Sequence, residues 1–426
     1  MTQKIRVKGG NPLHGTVAIS GSKNATLPLL VATLLTPEPV ILHNVPNLGD
    51  IQMMKALLLS LGVKITETDN GRTLTLQSDE IKNYTAAYDM VSKMRASYYV
   101  LGPLTARFKN ADVALPGGCA IGARPTNFHT DALREMGAEI RLENGYIKAS
   151  VKDRLHGAKI QFAKQSVGAT INTMMAAVLA DGETVINNAA TEPHVVDVAT
   201  LLNKMGGKVS GAGTTKITVE GVASLHGAEH SVIADQIEAG TYAVAAAITH
   251  GRLEIRGIRS DVLAAELDVL RKIGAKIADT TDGFTVDAVG VALKATDVMI
   301  KPYPGVPTDM QAQLMALLTV AEGTSLVTET IWENRFMHVP ELVRLGANIK
   351  VLSTSEALVT GVKKLYGAEV KATDLRASVC LILAGLAAEG ETLVSEIHHL
   401  DRGYENIESK LSACGAEIQR IEVING

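Results

Sequence analysis

Leu61-Gly62-Val63-Lys64-Ile65 decides the reading of this chain, because its pattern returns five more times. The later copies are Met136-Gly137-Ala138-Glu139-Ile140, Met205-Gly206-Gly207-Lys208-Val209, Ile273-Gly274-Ala275-Lys276-Ile277, Leu345-Gly346-Ala347-Asn348-Ile349 and Cys414-Gly415-Ala416-Glu417-Ile418. Their glycines stand roughly 70 residues apart, the mark of an internal repeat. Each copy ends an apolar-periodic segment, so its glycine reads as a helix C-cap ahead of a strand.

A second element keeps the same period. Polar residues precede an apolar, Ala-rich run after Ser22-Lys23-Asn24, Lys93-Met94-Arg95, Ser166-Val167-Gly168, Glu238-Ala239-Gly240, Asp309-Met310-Gln311 and Asp374-Leu375-Arg376. The runs are hydrophobic nearly all round, which predicts buried helices. Short strands such as residues 73–77, 216–219 and 284–286 fill out each unit. Six units divide into two domains of three, with the break expected at residues 225–232: domain 21–230, then domain 231–426. Six helix N-termini at matching positions could converge on one cleft, where unpaired N–H groups and partial positive charge favour anions.

Composition bounds the rest. At 426 residues the chain is long enough for two domains of roughly 200. Apolar residues are 46% and aromatics 4%, which supplies a core of small aliphatics and argues against a base-stacking platform. A net charge of -4 gives no general pull toward nucleic acid or anionic membrane. The start, MTQKIRVKGG, lacks an apolar signal region, and no apolar run is long enough to span a bilayer, so a soluble, cytoplasmic enzyme is expected. Cys119, Cys380 and Cys414 are an odd, widely spaced set, which is not a disulfide framework. Eleven histidines show no HxxxH or HExxH spacing, so no metal site is assigned.

The most unusual segment is Leu115-Pro116-Gly117-Gly118-Cys119-Ala120-Ile121-Gly122-Ala123-Arg124-Pro125. Prolines bracket glycines, a cysteine and an arginine without helical or strand period, as an exposed loop would. A thiol there is a candidate reactive group, and a nearby arginine favours its thiolate; Cys380 and Cys414 read as packing. Lys23 opens a helix after Gly21-Ser22 and suits a phosphate or carboxylate, or is simply a solvated lysine. The absence of the earlier Walker glycine disfavours a P-loop. Asp309 and Asp374 begin buried helices, where a carboxylate interacting with the helix dipole is the ordinary reading.

Taken in order along the chain, these pieces resemble the bacterial UDP-N-acetylglucosamine 1-carboxyvinyltransferase family. The likeness rests on Ser20-Gly21-Ser22-Lys23-Asn24-Ala25, the Cys119 loop, Ser166-Val167-Gly168-Ala169-Thr170, Pro307-Thr308-Asp309-Met310-Gln311, Glu333-Asn334-Arg335-Phe336-Met337-His338 and Asp401-Arg402-Gly403-Tyr404-Glu405. The related shikimate-pathway synthase shares fold and reaction type but lacks the cysteine loop. The resemblance implies an α/β fold of two inside-out α/β barrel domains, residues 1–20 joining the second, with the active site in the cleft between them. It also implies transfer of the enolpyruvyl group of phosphoenolpyruvate to the sugar 3′-hydroxyl by addition–elimination, without cofactor, as the committed step of peptidoglycan synthesis.

Residue roles follow only from that resemblance. Asp309 matches the base at the hydroxyl, and would need burial to raise its pKa or would act late. Cys119 matches the acid at C3, the covalent attachment point of phosphoenolpyruvate and the target of fosfomycin. Lys23, Asn24, Arg124, Arg376 and Arg402 match the phosphoenolpyruvate contacts, with Lys23 and Arg402 also catalytic. Arg95, Arg124, Pro125, Thr126, Asn127, Phe128, Lys164, Gln165, Ser166, Val167, Gly168, Asp309 and Ile331 match the positions that hold the UDP-sugar. Asn127 and Gln236 depart from the Asp and Arg common in the family, which bears on affinity. The alternatives are an enolpyruvyl transferase for another hydroxyl and a non-catalytic UDP-sugar-binding paralogue.

Overall fold

A computed structural model describes residues 2–115 and 126–423. The chain forms two compact units, crossing between them at Ser20–Gly21 and at Ile233–Ala234. Helices alternate along the repeat between an inner, buried member and an outer, amphipathic one. The inner members are α1 (Lys23–Ala32), α3 (Leu101–Phe108), α5 (Val167–Ala177), α7 (Gln236–Ile248), α9 (Gln311–Leu318) and α11 (Leu375–Ala387). The outer ones are α2 (Gly49–Leu61), α4 (Asn127–Glu135), α6 (Pro193–Lys204), α8 (Ala264–Ile273), α10 (Val339–Arg344) and α12 (Ile407–Ala413).

The repeat glycines do what the pattern predicts. Gly62, Gly137, Gly206, Gly274, Gly346 and Gly415 have φ of 107°, 90°, 93°, 122°, 93° and 97°. Each turns the chain out of an outer helix in a conformation that costs a Cβ-bearing residue energy. The strand that follows enters a four-stranded sheet of one recurring design. A short strand runs parallel to its neighbour, which is antiparallel to a third, which is antiparallel to the fourth.

In the unit from Gly21 to Ile233, the last strand, Glu229–Ser231, pairs in parallel with the first, Val40–His43. That pairing keeps residues 231–233 with this unit, slightly beyond the break expected from sequence. The other unit borrows its closure from the start of the chain. His14–Ala18 runs parallel to Arg252–Arg256, and Thr2–Lys8 lies between Glu391–Ser395 and Glu417–Val423.

Each unit has its own hydrophobic core. Every residue of α9 is buried, as is α7 from Ile237 onward, and these two pack against each other and against α11. Such helices survive because apolar burial, not surface amphipathicity, holds them. Truncating Leu314 or Leu381, both buried, to Ala would cost about 2–5 kcal/mol. No helix among the described residues is long and apolar enough to cross a membrane.

Candidate active site

Functional side chains gather where inner helices begin. In the unit from Gly21 to Ile233, Ser22 caps α1 by accepting from the Ala25 N–H at 3.3 Å, and Lys23 and Asn24 form its first turn. The Lys23 ammonium stands 3.6 Å from the buried Asp50 carboxylate in the first turn of α2. Sequence reading passed over Asp50, which looks like any acidic residue opening a helix.

A second cluster in the same unit joins three segments. Arg95 begins the 3-10 turn Arg95–Val100, Thr126 stands at the N-cap position of α4 without a side-chain cap bond, and Ser166 caps α5 by accepting from the Ala169 N–H at 3.3 Å. Phe128 faces Phe162 with ring centroids 6.1 Å apart, and the Gln165 amide donates to the Ala189 carbonyl at 3.0 Å. Lys164 is exposed just before the α5 start, whose first turn holds Val167 and Gly168. His129 connects these pieces. Its ring packs edge-on against Tyr98 at 4.8 Å and takes a 3.0 Å hydrogen bond from the Asn172 amide. Burial, reinforced by Arg95, pushes its pKa down to about 3.

In the other unit, Asp309 lies in the 3-10 turn Thr308–Met310 that leads into α9. Its Oδ1 accepts from Arg335 at 2.9 Å and its Oδ2 from Arg376 at 2.7 Å. Both arginines are 7% exposed in their side chains, whereas Asp309 is 28% exposed, so the carboxylate keeps an open face. Arg376 also donates to the Tyr404 hydroxyl at 3.2 Å, and Tyr404 is bonded to Thr241 at 2.8 Å. Gln313 donates to the Asp309 carbonyl at 2.8 Å. Two charge-assisted hydrogen bonds hold the Asp309 carboxylate in place.

Glu329 braces the same region. One oxygen accepts from Thr308 at 2.8 Å, and the other from the Ile331 and Trp332 N–H groups at 2.7 and 3.3 Å. Burial pushes the Glu329 carboxyl above its ordinary range, against those hydrogen bonds. Arg402 ends the 3-10 turn Ile397–Arg402. The neighbouring Asp401 is gripped by both Nη atoms of Arg420, at 2.9 and 2.6 Å, and Tyr404 ties the same turn to Arg376. Asp374 caps α11, accepting from Arg376 and Ala377 N–H at 2.8 and 3.1 Å, as an ordinary helix-start carboxylate does.

Among the expected residues, the structure brings together Asp309 and Arg376, and separately Arg95 with the starts of α4 and α5. Cys119, Arg124 and Pro125 lie outside the described residues. Asn127 is exposed, its amide 3.5 Å from Asp131, and Gln236 opens α7 next to its cap Asp235. Arg335, Tyr404 and Glu329 were missed as members of the Asp309 cluster. Arg335 and Tyr404 stood in quoted motifs, but only three-dimensional contact gives them a task. Among the described residues, no group of three or more His, Cys, Asp or Glu could hold a metal ion. One unit offers a fixed acceptor at Asp309 with cations around it, and the other, taken by itself, offers two helix starts suited to anions.

The chain is similar to known proteins along nearly its whole length. A profile of the EPSP synthase (3-phosphoshikimate 1-carboxyvinyltransferase) family matches residues 7–411. The UDP-N-acetylglucosamine 1-carboxyvinyltransferase of Afipia carboxidovorans is 54% identical, covering 98% of this chain and 99% of its own. The protein of the same name from Granulibacter bethesdensis is 56% identical at the same coverage. Among solved structures, the enolpyruvyl transferase NikO from Streptomyces tendae superposes with a TM-score of 0.88 at 26% identity, covering 98% of this chain and 99% of that one. EPSP synthase from Acinetobacter baumannii reaches a TM-score of 0.75 at 18% identity, covering 99% of this chain and 100% of that one, a likeness of fold alone.

Proposed function

This chain belongs to the UDP-N-acetylglucosamine 1-carboxyvinyltransferase family, and from that premise we propose how its residues move an enolpyruvyl group from phosphoenolpyruvate to the 3′-hydroxyl of UDP-N-acetylglucosamine. The observation that carries the mechanism is Asp309, open on one face and held on the other by two buried arginines. A carboxylate so fixed is a preorganised acceptor for one hydroxyl proton.

In the addition step the sugar 3′-oxygen bonds to C2 of phosphoenolpyruvate. Its proton passes to Asp309 as that bond forms, and the C2–C3 π pair takes a proton at C3 from Cys119. The product is a tetrahedral ketal. In the elimination step a C3 proton returns to the Cys119 thiolate, the C2–C3 double bond re-forms, and the C2–O bond breaks with its electron pair going to the phosphate. The phosphate takes up the proton that Asp309 had received, which leaves the carboxylate regenerated. Lys23, Arg124, Arg376 and Arg402 offset the substrate carboxylate and the charge building on the phosphate, with Asn24 beside them.

Arg95, Thr126, Asn127, Phe128, Lys164, Gln165, Ser166, Val167, Gly168 and Ile331 hold the UDP-sugar. Its diphosphate lies at the N-terminus of α5, where first-turn amides and the helix dipole favour anions. The finer architecture, two inside-out barrels with the reaction in the cleft between them, is part of this proposal, as is a cytoplasmic setting in peptidoglycan synthesis.

The test is phosphate release from phosphoenolpyruvate with UDP-N-acetylglucosamine, shikimate 3-phosphate or no acceptor. Release that needs the UDP-sugar supports the assignment. Release with shikimate 3-phosphate instead would reassign the acceptor, and silence with both would leave a binding protein.

A further inference from the structure

Two hydrogen bonds in series fix the tautomer of His129. The Gly102 N–H, which can only donate, meets the Asn172 Oδ1 at 2.8 Å. That close approach depends on glycine, since a Cβ at position 102 would fall 2.4 Å from the same oxygen. With its oxygen so occupied, Asn172 presents its amide N–H to His129 Nδ1 at 3.0 Å. Nδ1 is therefore an acceptor, and the single proton of the neutral ring sits on Nε2. The Cε1–Nε2 edge in turn lies against the second residue of α5: a Cβ on Gly168 would stand 3.2 Å from both atoms.

We propose that His129 is a further UDP-sugar contact, a neutral Nε2–H donor beside the α5 start that binds the diphosphate, and that Asn172 is the positioning residue that holds its tautomer. The inference rests on the reading that places the diphosphate at α5. A neutral donor suits this place. Arg95 already supplies charge nearby, and an imidazolium in the same buried corner would add a second cation to be desolvated. Gly168 serves the same arrangement by leaving room for the ring edge.

Two measurements on the full-length enzyme test it. Long-range nitrogen–proton NMR of the unliganded wild type should place the His129 proton on Nε2, and addition of UDP should shift that resonance. In binding titrations, His129→Phe should weaken UDP-N-acetylglucosamine by about ten- to a hundredfold, the size of a lost hydrogen bond to a charged group. His129→Gln, which keeps an N–H donor, should recover much of the loss, and Asn172→Leu should weaken binding with His129 intact. A proton on Nδ1, or undiminished binding by His129→Phe, would overturn the proposal. Wild-type protein that does not bind UDP-N-acetylglucosamine would instead remove the reading beneath it.

Discussion

The Asp309 carboxylate and the Arg376 guanidinium meet at 2.7 Å across 67 positions of sequence. Arg335 holds the other oxygen at 2.9 Å. The carboxylate is thus oriented through both of its oxygens. Asp309→Asn should keep the shape but lose the proton acceptor. We expect turnover to fall by about 10²–10⁴-fold, with UDP-N-acetylglucosamine still bound. Steady-state kinetics beside a binding titration separates the two effects, and wild-type turnover would reduce Asp309 to a helix-start carboxylate.

Arg335 is expected to matter through Asp309 rather than through substrate. Arg335→Lys keeps the charge but replaces the planar fork with a point charge, so the carboxylate should lose its fixed orientation. The predicted signature is a drop in kcat of about tenfold or more with KM for phosphoenolpyruvate nearly unchanged. An increase in that KM alone would mean that Arg335 touches the substrate.

Cys119 is expected to act as the acid at C3. Cys119→Ser should lose most activity at neutral pH, because an alcohol gives up its proton far less readily than a thiol. Cys119→Asp should turn over and yet escape covalent modification by fosfomycin, read as the absence of an added mass on the intact protein. A fully active Cys119→Ser enzyme would take the acid role away from this residue.

Glu266 links stability to pH. It is buried on α8, one oxygen lacks a hydrogen-bond partner, and burial pushes its pKa from an ordinary 4.5 up to about 8. Between those values the folded protein keeps a proton that the unfolded chain has released, so stability falls as pH rises. This contribution is whole below pH 4.5 and is lost as pH rises through about 8. Its upper bound is about 5 kcal/mol. Glu266→Gln should flatten the decline in urea midpoint between pH 5 and pH 9, with little effect at pH 5. An unchanged slope would show that Glu266 does not carry it.

Much of the fold was legible because it repeats. Gly62 and its five counterparts share one conformational need, and a need met every 70 or so residues leaves a visible trace. The buried helices were equally plain, since a run such as Val379–Leu383 has no polar face to expose. Individual contacts were not legible. Arg335 reaches Asp309 from another loop, Arg420 grips Asp401 from the last strand, and Asn172 meets His129 from the facing helix. None of these pairs shares a local spacing rule. The two arginines that hold Asp309 were not legible as its partners for the same reason, since both are distant in sequence. The residue roles came from the family resemblance, which supplied what periodicity alone does not contain.

The most direct test is phosphate release from phosphoenolpyruvate in the presence of UDP-N-acetylglucosamine, with and without prior exposure to fosfomycin. Release that requires the UDP-sugar and is abolished by the drug is the expected result. Release that persists after the drug, or that proceeds without the sugar, would contradict the central claim that a reactive thiol and Asp309 carry enolpyruvyl transfer to this acceptor.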